Sequence, residues 1–208
     1  MSKACHRVHV PPSTVSFGMI VRMFVAGSHR VLGIDPGLTR CGYAVLDANG
    51  SDVSAVSLGV LRTPATDSLP ARLARLHQDF VDLLAEFAPQ SVAVEQVFFQ
   101  VNVRTAMSVG QASGLALALA HAAGCEVVQY TPNQVKEAVT GWGGAGKEQV
   151  QRMVQNRLGL SAPPKPADAA DAAALALCHL AISPVHRRLI AAGAPDIHGR
   201  ARSRRKAG

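Results

Sequence analysis

Apolar and polar positions regroup along the chain so as to predict a definite series of elements. Val31, Leu32 and Ile34 form a short β-branched run with the character of a buried strand over about 30–35. It stops at Asp35-Pro36-Gly37, where Pro lacks a donor N–H and Gly favours a turn. A second strand is predicted over 41–48 and a third over about 52–61, with Asn49-Gly50 between them as a hairpin signal. The three make an antiparallel meander. From 69 to 88 the period changes to helical: Leu69, Leu73, Leu76, Phe80, Leu83, Leu84 and Phe87 recur at three- and four-residue steps until Pro89. The strand Ser91–Glu95 follows, and the helix before it implies a crossover and a parallel pairing. A helix rich in Ala, Gly and Ser is predicted over about 103–122, with its small face packed on the sheet or on another subunit. A fifth strand is predicted over 126–129. Thr131-Pro132 then opens a helix with a cap residue and Pro at its first position. Four glycines between Gly141 and Gly146 predict a mobile loop, followed by helices over about 147–158 and 168–182. The pattern describes an α/β fold whose five-stranded mixed sheet is flanked by helices on both faces.

Composition changes this picture little. The chain has 208 residues, 48% hydrophobic and 17% charged, suited to one domain with tails. Its apolar runs are short and interrupted, unlike a membrane span. Cys5, Cys41, Cys125 and Cys178 show no metal-ligand spacing and read as reduced thiols in a cytoplasmic protein. Charge is more informative once divided by segment. Residues 30–185 hold 11 Lys and Arg against 13 Asp and Glu, whereas 186–208 hold seven basic residues and Asp196 alone. Residues 30–185 are expected to form the domain. Residues 1–29 read as an N-terminal extension and 186–208 as a basic C-terminal tail, both without fixed structure. Such a tail suits an anionic polymer through counterion release, or else merely aids solubility.

Four acids stand at element ends. Asp35 closes the first strand and Glu95 the fourth, so neighbouring strands would bring them to one rim, where α/β sheets place their chemistry. Asp168 and Asp171 lie three apart, on one face at the start of the last helix. Blander readings exist. Asp35 can accept bonds from its own turn, and the Asp168/Asp171 pair can cap a helix. Yet like charges brought together repel unless cations intervene, and an all-oxygen set suits Mg²⁺ or Mn²⁺ and two-metal phosphoryl chemistry.

Gly33-Ile34-Asp35-Pro36-Gly37, Val94-Glu95-Gln96-Val97-Phe98 and Ala167-Asp168-Ala169-Ala170-Asp171-Ala172 together resemble the RuvC-type Holliday junction resolvases of the ribonuclease H-like superfamily. Thr131-Pro132-Asn133-Gln134-Val135-Lys136 and the run from Val139 to Gln151 add to the resemblance, which spans roughly 30–185 in order. It implies a ribonuclease H-like fold and a homodimer that binds four-way junction DNA and nicks two opposing strands symmetrically, in recombination and repair. It implies two Mg²⁺ per active site, with Mn²⁺ as a substitute, held by the catalytic acids Asp35, Glu95, Asp168 and Asp171. It further implies DNA contacts by Lys136, Lys147 and Arg104, base stacking by Phe98, and partnership with a branch-migration helicase complex of the RuvA and RuvB type. Lys136 and Lys147 read without the family are solvated helix ends. Competing functions are a nuclease for RNA–DNA hybrids on the same fold and a non-catalytic DNA-binding scaffold. An actin-like ATPase requires two such domains, more than 208 residues allow.

Overall fold

The computed structural model describes residues 28–96 and 103–191, with backbone alone for Ser28, 103–105 and 184–191. The elements run β1 (Ser28–Asp35), β2 (Arg40–Asn49), β3 (Asp52–Arg62), α1 (Leu69–Phe87), β4 (Ser91–Glu95), α2 (Val103–Ala122), β5 (Glu126–Tyr130), α3 (Pro132–Thr140), α4 (Lys147–Arg157) and α5 (Ala167–Ala191). The strands form one sheet in the order β3-β2-β1-β4-β5. The meander is antiparallel, and β4 and β5 join β1 in parallel through helical crossovers. The hairpin loop falls one residue later than the Asn-Gly signal suggests: Asn49 still pairs with Asp52, and Gly50 takes the left-handed conformation at φ 63°.

Alternation along the strands builds two cores. One face sends Leu32, Ile34, Tyr43, Val45, Val92 and Val94 against Leu76, Phe80 and Leu83 of α1 and Ala112, Ala116 and Ala120 of α2. The small side of α2 therefore lies in the chain's own core. The other face presents Val31, Ala44, Leu46, Ala93 and Tyr130 to α3, α4 and the buried alanines of α5.

Small residues on that second face set how closely α5 approaches. A Cβ at Gly33 would stand 2.1 Å from the carbonyl oxygen of Ala172, and one at Gly42 would stand 2.0 Å from that of Asp168. Glycine at these two sheet positions lets the α5 backbone rest directly on β1 and β2. The start of α5 is thereby seated at the end of β1.

Helix ends agree with their sequence signals, with one exception. Thr131 and Gln134 form a reciprocal capping box around Pro132. The last helix, however, continues to Ala191 rather than stopping at 182, so a tail beginning at 186 starts inside it. Ser183-Pro184 looks like a stop because proline cannot donate to the preceding turn, but here the helix continues through the missing bond. Cys41, Cys125 and Cys178 are buried and unbridged. Among the described residues no helix is long and apolar enough to cross a membrane.

Candidate active site

Asp35 and Glu95 are the last residues of β1 and β4. These strands are parallel neighbours with Ile34 beside Val94, so both carboxylates emerge side by side at one rim. Asp168 and Asp171 belong to the first turns of α5, which Gly42 brings down beside Asp35, its partner across the β1–β2 ladder. Four acids separated by as many as 136 positions in sequence thus gather at one corner of the sheet.

Their electrostatics are uneven. Burial pushes Asp35 up to about 7, helped by the charges of Glu95, Asp171 and Asp168 and opposed by Lys147. Burial also raises Glu95, with Asp171 adding to the shift and Lys147 opposing it. The two helix acids are engaged by cations instead. Arg40, at the start of β2, bonds Asp168 Oδ2 through Nε at 3.0 Å and through Nη2. Lys147 Nζ, at the start of α4, donates to Asp171 Oδ2 at 2.7 Å. These bonds displace the capping reading: the carboxylates face side chains across the site. The hydrogen bond to Asp171 and the surrounding acids raise Lys147, which keeps it charged.

A cavity of about 320 Å³ opens here, lined by Asp35, Glu95, Asp171, Lys136 and Lys147 with apolar walls from α3, α4 and α5. Lys136 and Lys147 are therefore not merely solvated helix ends. The loop after Asp35 is pinned from behind: Arg72 donates to Thr63 Oγ1 at 2.9 Å and to Thr39 Oγ1 at 2.6 Å, and Thr63 Oγ1 in turn donates to the Leu38 carbonyl. Among the described residues no three Asp, Glu, His or Cys side chains are grouped so as to hold a metal ion; Arg40 and Lys147 bond oxygens of Asp168 and Asp171. The donor set nonetheless fits a hard divalent cation, being all oxygen and carrying repulsion that a cation would relieve. Phe98 lies outside the described residues, as does the side chain of Arg104. Arg40 is the residue that sequence reading missed. Nothing in the pattern around position 40 signals a partner 128 residues away.

The model for the crossover junction endodeoxyribonuclease RuvC family matches residues 31–179, most of the chain and all four acids. The chain belongs to the RuvC family. Its RuvC relatives include those of Streptomyces avermitilis, 51% identical over 77% of this chain and 92% of that protein, and Salinispora arenicola, 51% identical over 78% and 94%. Among solved structures, Thermus thermophilus RuvC in complex with a Holliday junction superposes with a TM-score of 0.72 at 37% identity, covering 76% of this chain and 96% of that one. The yeast mitochondrial resolvase Ydc2 shares the fold at TM-score 0.59 and 18% identity. As a RuvC protein this chain is a metal-dependent nuclease of the crossover junction endodeoxyribonuclease class.

Proposed function

We propose that the chain binds four-way DNA junctions as a homodimer and nicks two opposing strands symmetrically, with Asp35, Glu95, Asp168 and Asp171 as its catalytic acids. The observation that carries this reading is the convergence of those acids, from β1, β4 and α5, at one rim inside the matched RuvC region. Thermus thermophilus RuvC, a relative of known structure, was solved in complex with a Holliday junction substrate.

The side chains divide the work. Asp35 and Glu95, partly buried and pushed up in pKa, are the acids with the most to gain from a divalent cation, and Mg²⁺ is the ion their oxygens favour. Asp168 and Asp171 complete the set, two ions per site being the count that four carboxylates suit. When bound, the metal supplies an acidified water and a counter-charge for the leaving 3′ oxygen. Arg40 and Lys147 hold Asp168 and Asp171 in register. Lys136 and Lys147, which line the cavity, attract the phosphate backbone and offset the acids' repulsion for it. Phe98 is assigned to a base at the junction centre and Arg104 to a DNA contact, both from the family resemblance. A branch-migration helicase complex of the RuvA and RuvB type supplies the junction.

Purified protein with Mg²⁺, presented with a mobile four-way junction, a plain duplex and an RNA–DNA hybrid, tests the reading. Paired symmetric nicks confined to the junction are expected. Cleavage of the hybrid with an intact junction would overturn it.

A further inference from the structure

The loop joining α3 to α4 carries the chain's single tryptophan, and Trp142 is 62% exposed. An isolated exposed apolar residue is ordinary on a protein surface, but this one is held in place. Its backbone N–H donates to Thr140 Oγ1 at 3.2 Å, and its backbone carbonyl accepts from Thr140 Oγ1 at 3.0 Å and from Ala145 N–H at 3.1 Å. The Thr140 hydroxyl shares its one proton between that carbonyl and the Lys136 carbonyl, at 2.8 Å. The indole lies over Gly144, where a Cβ would stand 2.6 Å from the ring. Gly141, at φ 80°, turns the chain out of α3 in a conformation that L side chains rarely adopt. The loop is thus shaped around an outward-facing ring.

Its neighbours indicate what that ring meets. Lys136 precedes it on α3 and Lys147 follows it on α4, and both border the cavity that holds Asp35, Glu95 and Asp171. The other large apolar side chains exposed among the described residues, Leu69 and Met107, belong to α1 and α2 beneath the opposite face of the sheet. Trp142 is therefore no part of an apolar patch suited to a protein. An exposed flat ring on the loop that joins the two lysine-bearing helices, its carbonyl bonded to Ala145 of the cavity wall, matches a nucleotide: the lysines take the phosphate and the ring takes the base face.

We propose that Trp142 stacks on an unpaired nucleobase next to the phosphate presented to the acids, making it a specificity residue for branched over plain duplex DNA. Stacking requires a base free of its neighbours, which a junction offers and a duplex withholds. The inference rests on the junction-cleaving reading above.

Because Trp142 is the sole tryptophan, the full-length protein reports on its own contact. Indole emission is followed while the metal-free protein is titrated with a four-way junction or a duplex of matched sequence. Saturating junction is expected to quench emission by roughly half or more, and saturating duplex to leave it nearly unchanged. Trp142→Ala is expected to lower junction cleavage with Mg²⁺ about tenfold, while Trp142→Phe restores most of it and circular dichroism and melting stay at wild-type values. Emission unmoved by a bound junction, equal quenching by duplex, or wild-type cleavage by Trp142→Ala would each overturn the assignment. So would a change in sedimenting mass for Trp142→Ala, which would place the ring between copies of the chain. If the wild type cleaves junctions yet shows any of these, the stacking role alone falls. If it neither binds nor cleaves them, the junction-cleaving reading falls as well.

Discussion

The two ends of β1 treat charge in opposite ways. At its start, Arg30 forks onto Asp47, its partner across the ladder, with Nε–Oδ1 at 2.6 Å and Nη2–Oδ2 at 2.7 Å, and adds a bond to the Phe87 carbonyl at 3.0 Å. Nearby, His29 meets Ser91 Oγ at 2.9 Å. The charges at that end are matched, one guanidinium fork onto one carboxylate. At the other end, Asp35 joins three further acids, and the cations within reach, Arg40 and Lys147, bond only two of them. A larger cavity, about 470 Å³, lies by His29 and His179, yet no carboxylate lines it among the described residues. Volume does not mark the functional end; unmatched charge does. Paired charge holds a fold in one arrangement, whereas like charge gathered by a rigid scaffold is a cost retained for chemistry.

Four measurements would sharpen or break that contrast. The largest effect belongs to the acid end: Asp35→Asn, Glu95→Gln, Asp168→Asn and Asp171→Asn should each cut Mg²⁺-dependent junction cleavage by about 10³-fold or more, with junction binding kept in a mobility-shift assay. Appreciable cleavage by two of them would dissolve the four-acid assignment. Next comes the seat of α5. Gly42→Val forces a side chain onto the Asp168 carbonyl and should cost about 3 kcal/mol or more in denaturant unfolding, together with cleavage, because Asp168 moves with its helix.

Stability against pH gives a third, smaller effect. Asp35 has a folded pKa of about 7, above the unfolded value near 3.9. Its protonation therefore stabilises the folded state fully below about pH 4, and that contribution is lost as pH rises through about 7. Asp35→Asn should make the metal-free protein about 1–3 kcal/mol more stable than wild type at pH 8 and level with it at pH 4. Chemical denaturation in a chelating buffer at both pH values reads this difference. A variant less stable at pH 8 would show that Asp35 is structural. The smallest effect is at the matched end: Arg30→Ala should lose about 1 kcal/mol and leave the cleavage rate within twofold. A large loss of cleavage there would erase the distinction between the two ends.

Sequence patterning read the elements well because their causes are local. Leu76, Phe80 and Leu83 repeat at helical spacing and are the buried residues of α1; Thr131, Pro132 and Gln134 make a cap within four residues. The acids were legible as acids at element ends, and the first and fourth strands prove to be the adjacent parallel pair their crossover implied. The cations were not. Lys147 faces Asp171 across 24 positions and Arg40 faces Asp168 across 128, and no periodicity connects residues that far apart.

By itself, then, the sequence determined which segments become strands and helices, that acids terminate two buried strands and open the last helix, and through its motifs the family to which the chain belongs. Only the tertiary structure decided how near those acids come to one another. That distance is set where Gly33 and Gly42 leave room for the backbone of α5, and a glycine looks the same in a sequence whether it makes a turn or a seat for a helix. It also decided which acids are met by cations and that burial holds Asp35 protonated to about pH 7. Burial and Coulomb energies depend on what surrounds a carboxylate in space, and chain order does not specify that.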